Sequence, residues 1–357
     1  MTSSVNITSL SEILILLTNL DIYGYPYIVC GVLQLFSMRI TAKMARDMLE
    51  VLDEIKEECF SDDEEPYPFV EWERKRKCVK ERLRNLPRYV ERAVNRVYFD
   101  KPGVGRPKKL DLVKRTMLFL FARLMNKSNR DVENLLEMFE PLFGVTVSYK
   151  YIERLYSDEE VKTVLHNLFI LLLQDEGVSG DFSGDGTGYS LTVSKHYRSD
   201  SKKEGGDYVY VFRVIDVDTG LYVAFGYSNK SEMEAFHKAM VLLHEWGIPL
   251  DSLSLDKYFS SRKVIRMFGK ETTLYLIPKK NITKVGLEWR RIIRRMIEDP
   301  YLFLKSYFLR NLSESGFSAD KRRFGGVIRQ KREDRREMAL FSIAFLHNIF
   351  TVRVRPS

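Results

Sequence analysis

"DYVYVFRVIDVDTGLYVAFGYS", Asp207 to Ser228, decides the fold. Val, Tyr, Phe and Ile alternate with a period of two on either side of "DVDTG", which predicts two antiparallel strands joined by a turn, with Asp216 and Asp218 as turn residues. Upstream, "VSGDFSGDGTGYSLTVS" (178–194) reads as a further strand that ends in a Gly-rich turn at "GDGTG". Downstream the period changes. Residues 231–246 read as a helix, "DSLSLD" (251–256) as a short strand, "KYFSSRKVIRMF" (257–268) as a helix and "TLYLIPKK" (273–280) as another strand, with 283–325 mostly helical. Three antiparallel strands followed by alternating helix and strand predict an α/β chain, with an α+β mixed sheet of five strands and helices on its faces. That order resembles the ribonuclease-H-like arrangement.

The chain before this region is helical. Residues 1–100 predict helices at about 9–19, 27–58 with a break, and 70–97. "DKPGVGRPKKLD" (100–111) is a linker rich in Gly and Pro, followed by an apolar helix at 111–126. Ser128 is placed to cap "NRDVENLLEMFEPLF" and Ser148 to cap "YKYIERLYSDEEV", with the short turn "GVTV" between them. This pattern matches a helix-turn-helix as well as a plain helical hairpin, and the flanking basic linker tips it toward DNA. The organisation expected is a helical N-terminal region (1–100), a helix-turn-helix-like DNA-binding region (101–175) and a ribonuclease-H-like catalytic domain (176–357).

The 357 residues carry a formal charge of +8 and 45% hydrophobic content, which suits a globular protein and excludes a largely disordered one. The charge is concentrated: Arg74 to Arg115 holds sixteen Lys or Arg against four Asp or Glu. A polyanionic partner is therefore expected, double-stranded DNA above all. Candidate contacts are Arg106, Lys108 and Lys109 in the linker and Tyr149, Lys150 and Arg154 on the second capped helix. "GVGRPKK" (103–109) resembles an AT-hook core and equally fits a basic loop before a helix. Cys30, Cys59 and Cys78 form no close pair, so they read as reduced thiols of a cytoplasmic, nucleoid-associated protein. No basic leader precedes Arg39, and the apolar run near the start is broken by Asn19, Asp21 and Gly24, so neither a signal peptide nor a membrane span is expected.

Two acids sit where a mixed sheet gathers ligands: Asp185 in "GDGTG", and Asp256 at the end of "LSLD" just before a helix. Asp181 shares the Asp185 face but lies four residues away, about 13 Å along a strand, so one of the two serves. A third acid, Glu314, lies in "KSYFLRNLSESGFSADKRRFG" (305–325). On one continuous helix, Tyr307, Arg310, Glu314 and Lys321 fall within a stripe of about 60°. Converging carboxylates repel one another and raise each other's pKa unless a cation joins them. With no His or Cys in the set, the expected cofactor is Mg²⁺ or Mn²⁺, two ions, the equipment of phosphodiester chemistry. Taken singly, Glu314 and Arg310 also read as an ordinary i, i+4 pair on an amphipathic helix.

The spacing Tyr307-x2-Arg310-x3-Glu314-x6-Lys321 resembles the Tyr-Arg-Glu-Lys signature of a large group of DDE-class insertion-sequence transposases, and "DGTG" (185–188) and "LDKYFSS" (255–261) are similar to the motifs around that family's two aspartates. The resemblance implies a ribonuclease-H-like core in which Asp185, Asp256 and Glu314 are catalytic and bind two Mg²⁺ ions. It also implies that Arg310 and Lys321 grip phosphates of the element end and that Tyr307 packs against the same strand. Asp256 and Glu314 are 58 residues apart, which leaves little room for the inserted strand domain that handles hairpin intermediates in some members.

The function expected is that of a DNA transposase that binds its terminal inverted repeats, cleaves them and transfers the 3′-OH to target DNA, as a homodimer in the synaptic complex. Two alternatives are a non-catalytic DNA-binding protein, either a regulator or a decayed transposase, and a general nuclease of the same fold.

Overall fold

The computed structural model describes residues 40–59, 68–98, 108–191 and 208–351. In chain order the first helices are α1 (Ala42–Cys59), α2 (Phe69–Val94), α3 (Leu112–Met125), α4 (Asn129–Met138), α5 (Glu140–Phe143), α6 (Tyr149–Leu155) and α7 (Glu159–Glu176). Strands β1 (Asp181–Ser190), β2 (Tyr208–Asp216) and β3 (Tyr222–Ser228) follow, then α8 (Glu232–Glu245) and β4 (Ser252–Leu255). A 3₁₀ turn (Lys257–Phe259), α9 (Arg262–Arg266) and β5 (Thr273–Tyr275) lead to α10 (Leu287–Glu298), α11 (Pro300–Phe308), α12 (Asn311–Phe324) and α13 (Glu333–Phe350). The helix expected near 9–19, residues 27–39 of the helical stretch expected over 27–58, Cys30, the residues between 60 and 67, Arg106 and most of "GVGRPKK" lie outside the described residues. No described helix is long and apolar enough to cross a membrane.

The five strands form a mixed sheet, as the order of strands and helices from 178 to 280 predicts. β1 pairs antiparallel with β2, and β2 with β3; β4 and β5 pair in parallel. The succession of an antiparallel meander, a helix, and then two parallel strands with a helical crossover is the ribonuclease-H-like order. The β2–β3 turn closes as "DVDTG" suggests. Buried Asp216 accepts hydrogen bonds from Thr219 N (2.9 Å) and Thr219 Oγ1 (2.6 Å), and Gly220 takes the left-handed conformation (φ 72°) that completes the turn.

The chain divides into two compact units, each discontinuous in sequence. The first comprises α1 and residues 252–309, where α10, α11 and α1 pack together and α11 covers β4 and β5. Its apolar interior includes Leu253, Leu255, Phe259, Ile293, Met296 and Phe303. The second holds α2–α8, β1–β3, α12 and α13. Its core is the meander, covered by α8 and by α13, whose residues 338–349 are all buried. Local sequence sets several helix starts: the Asp111 side chain caps Lys114 N, and Ser128 with Asp131 forms a reciprocal capping box. Ser148 occupies the cap position of α6, but its side chain makes no capping bond.

Candidate functional site

Asp185 lies in the middle of β1, not in a turn. "GDGTG" continues the strand to Ser190, which corrects the turn expected there. Of its glycines, Gly186 has the closest neighbour. A Cβ on Gly186 would stand 1.6 Å from Glu232 Oε1 of α8, and one on Gly188 would touch the Tyr208 ring at 3.6 Å. Asp185 is half-buried, and its Oδ1 accepts from Gly186 N at 2.8 Å.

Side chains alternate across a strand, so Ser183, Asp185 and Thr187 share one face of β1. Helix α12 runs along that face: Ser183 Oγ meets Ser313 Oγ at 2.9 Å, and Lys321 Nζ donates to Thr187 Oγ1 at 2.7 Å. The lengths agree, since eight helical residues rise about 12 Å and four strand residues about 13 Å. Asp185 therefore lies between the two anchor points. Lys321 also stands over the Tyr189 ring at 5.4 Å, and burial, reinforced by the Arg213 charge, holds its ammonium below the usual lysine range.

Directly across from Asp185 on β2 is Arg213, which is fully buried and was not singled out in the sequence. Its guanidinium pairs with Asp320 of α12 at 2.5 Å, donates to Tyr189 Oη at 3.4 Å and lies over the Tyr222 ring at 4.9 Å. Asp320 also accepts from Tyr222 Oη (3.0 Å) and faces His347 Nδ1 (2.8 Å), while His347 Nε2 meets Gly220 O at 3.1 Å. Burial disfavours the Arg213 charge, but Tyr189, Tyr222 and Asp320 outweigh that effect and keep its pKa above the ordinary value. The signal for this network was a charge on the inward parity of an otherwise apolar strand, Val209, Val211, Arg213, Ile215.

Glu314 sits in the first turn of α12, where its side chain is 53% exposed and pairs with Arg310 at 2.5 Å. The single stripe expected across 307–321 is interrupted. Helix α11 ends at Phe308, and Leu309 N and Ser313 N bond three residues back, to Ser306 O and Arg310 O. Ser254 Oγ donates to Ser306 O at 2.8 Å and so occupies a carbonyl that a continuous helix would use. Tyr307 consequently belongs to α11 in the first unit and is buried at 6% exposure, whereas Arg310, Glu314 and Lys321 belong to the second.

Asp256, in the first unit, follows β4 as expected, and its side chain caps Tyr258 N at 3.1 Å. The helix expected over 257–268 is instead a 3₁₀ turn and the five-residue α9. Among the described residues no three or more of His, Cys, Asp and Glu are gathered as a metal site. What fits Mg²⁺ or Mn²⁺ is the chemistry of the donors, carboxylate oxygens without His or Cys.

Helices α4 and α6 pack together, and α5 interrupts the longer helix expected over 129–143. Tyr149 is half-buried with Arg130 over its ring at 5.1 Å; Lys150 and Arg154 are exposed. Lys108 pairs with Asp158 (3.3 Å) and Glu160 (2.6 Å), and Lys109 Nζ donates to Thr146 O (2.8 Å). Arg115 joins the same two acids. Burial alone would raise the Glu160 pKa, but Lys108 and Arg115 hold it below the usual range. Lys108, Lys109, Arg115 and Asp158 line a cleft of about 570 Å³ with Tyr151, Arg154 and Leu155.

No family model matches the chain. Among solved structures, that of a piggyBac transposase synaptic complex with hairpin DNA superposes with a TM-score of 0.41 and 7% identity, covering 73% of this chain and 70% of that one, a similarity from which nothing follows here. Among curated proteins, "Probable transposase for insertion sequence element ISA1214" from Archaeoglobus fulgidus is 65% identical over 316 residues, 88% of this chain and 98% of the relative. With such identity over nearly the whole of both chains, this protein belongs to the insertion-sequence transposases.

Proposed function

We propose that the chain is a DDE transposase that binds the terminal inverted repeats of its own element, cleaves phosphodiester bonds there and transfers the 3′-OH to target DNA. The observation that carries this reading is the placement of Glu314 and Lys321 on the helix anchored along the Asp185 face of β1. In this reading Asp185, Asp256 and Glu314 are the ligands of Mg²⁺ or Mn²⁺; that assignment rests on residue type and spacing. Two such ions supply activation of an attacking hydroxyl and stabilisation of the leaving oxygen.

The protein's own part is to bind and orient. Arg310, 21% exposed, can release Glu314 and make a forked contact to phosphate, and Lys321 offers a charge already aimed along β1. Tyr307 enters through the packing of its buried ring. Lys150, Arg154 and Tyr149 on α6, with Lys108, Lys109 and the linker's Arg106, form the duplex-binding surface, and cutting two ends together calls for a homodimer.

The test uses labelled duplexes of the DNA that flanks the coding region. Glu314→Gln, Asp185→Asn and Asp256→Asn should shift these duplexes in a gel as the native chain does. Each should nick them about 10²- to 10³-fold more slowly in Mg²⁺ or Mn²⁺. Near-normal nicking by Glu314→Gln removes that residue from the site. A native chain that binds but never nicks is the non-catalytic DNA-binding protein instead.

A further inference from the structure

A second basic cleft, of about 460 Å³, opens in the second unit between the start of α4, the segment after α12 and the start of α13. Its cations are Arg123, Lys127, Arg329, Lys331, Arg332 and Arg335; the acid lining it is Glu153, which Arg335 already pairs. The walls are fixed by the fold. Asn126, in the left-handed conformation (φ 49°), ends α3 and turns the chain toward Lys127, and its carbonyl accepts from Arg329 at 2.9 Å. The segment after α12 is held against β1, where Ser190 N donates to Gly326 O (3.0 Å) and Ile328 N to Ser190 O (2.8 Å).

Lys127, Arg329, Lys331 and Arg332 are exposed. Arg332 also pairs with Asp334 (2.7 Å), and Asp131 lies near Lys127 and Arg329; six cations against these three acids still repel one another, and the site gains most from a polyanion. Its place along β1 is also telling. Lys321 grips Thr187, and three residues further, about 10 Å along the strand, Ser190 holds the cleft's edge; the opposite edge is the start of α4, which packs on α6. The cleft therefore continues a cationic track from the Asp185 face toward the α4–α6 pair.

We infer that this cleft binds the phosphate backbone of the element-end duplex between the helix pair and the cleavage position. The inference rests on the transposase reading and extends the DNA path it implies. The measurement is fluorescence anisotropy of the full chain on duplexes of the flanking DNA across a salt series. The cleft variant combines Lys127→Ala, Arg329→Ala, Lys331→Ala and Arg332→Ala. A control variant removes equal charge from exposed Lys43, Lys263, Lys270 and Arg290.

For every phosphate that is no longer neutralised, the log–log salt slope should flatten by about 0.9. The cleft variant is expected to neutralise about two to four fewer phosphates and to bind at least tenfold more weakly at 0.1 M salt, while its melting temperature and the control's binding stay near native. An unchanged slope, or an equal weakening in the control, overturns the cleft assignment and leaves the transposase reading standing. A native chain that binds no duplex overturns that reading, and the cleft with it.

Discussion

Arg213 and Asp320, neither exposed to solvent, pair at 2.5 Å between β2 and α12 and so fasten the helix that carries Glu314 and Lys321 to the strand opposite Asp185. Removing one partner strands the other charge in the interior. Arg213→Met or Asp320→Asn should each cost about 3 to 5 kcal/mol in urea unfolding, and the apolar double replacement should recover most of it. Single variants as stable as the native chain would show that α12 is held by other means.

Lys321→Ala should leave folding nearly intact, since one hydrogen bond is worth about 1 kcal/mol net, and reduce strand transfer at least tenfold. Arg310→Ala should behave alike. Transfer assays beside melting curves separate the two effects, and unchanged transfer in both variants returns these cations to an ordinary helix face.

His166 stacks on Phe341 at 4.2 Å, and burial, with the nearby Lys162 charge, lowers its pKa from 6.5 to about 4. In the unfolded chain it takes up a proton at higher pH than in the folded one. Its contribution is therefore complete above about pH 6.5 and is lost as pH falls toward 4, a change of about 3 kcal/mol. Replacing it by Phe should flatten stability across that window, as urea midpoints at pH 7 and 4.5 would show. Equal slopes for both proteins would contradict the assignment.

Gly226 of β3 faces α8 so closely that a Cβ would stand 2.0 Å from Ala235 O and 2.7 Å from Ala239 N. Neither backbone atom can yield without moving the helix, so Gly226→Ala should destabilise by more than about 3 kcal/mol. Gly188→Ala, with its nearest neighbour at 3.6 Å, should be mild by the same unfolding assay.

Local causes were legible in the sequence. The Ser128 capping box, the Asp216 turn and the alternation of β2 and β3 each depend on residues a few positions apart. Causes that act across the fold were not. "GDGTG" looked like a turn, yet Asp185 to Ser190 pair with Arg213 to Tyr208 of β2 and continue the strand; at the break after Phe308, Ser306 O accepts from Ser254, about fifty residues away. Asp320 reads as one more charge in "SADKRRF" until Arg213, 107 positions upstream, is placed beside it. Of the candidate site, Lys321 could be put on a helix but not on the β1 strand it grips.

The same long-range pairing constrains the order in which the protein can be made. Ser183 waits for Ser313, Arg213 for Asp320 and the start of β3 for Asn348, whose amide bonds both Tyr222 N and Tyr222 O at 2.8 Å. During translation the Asp185 face stays uncovered until α12, residues 311–324, has left the ribosome. A gene copy truncated before codon 310 would yield a chain that lacks α12 and α13, with Arg213 deprived of Asp320 and the meander left uncovered on that face, open to proteolysis rather than a stable DNA-bound competitor. Limited trypsin digestion of the 1–309 fragment beside the full chain would reveal this as complete degradation of the fragment alone.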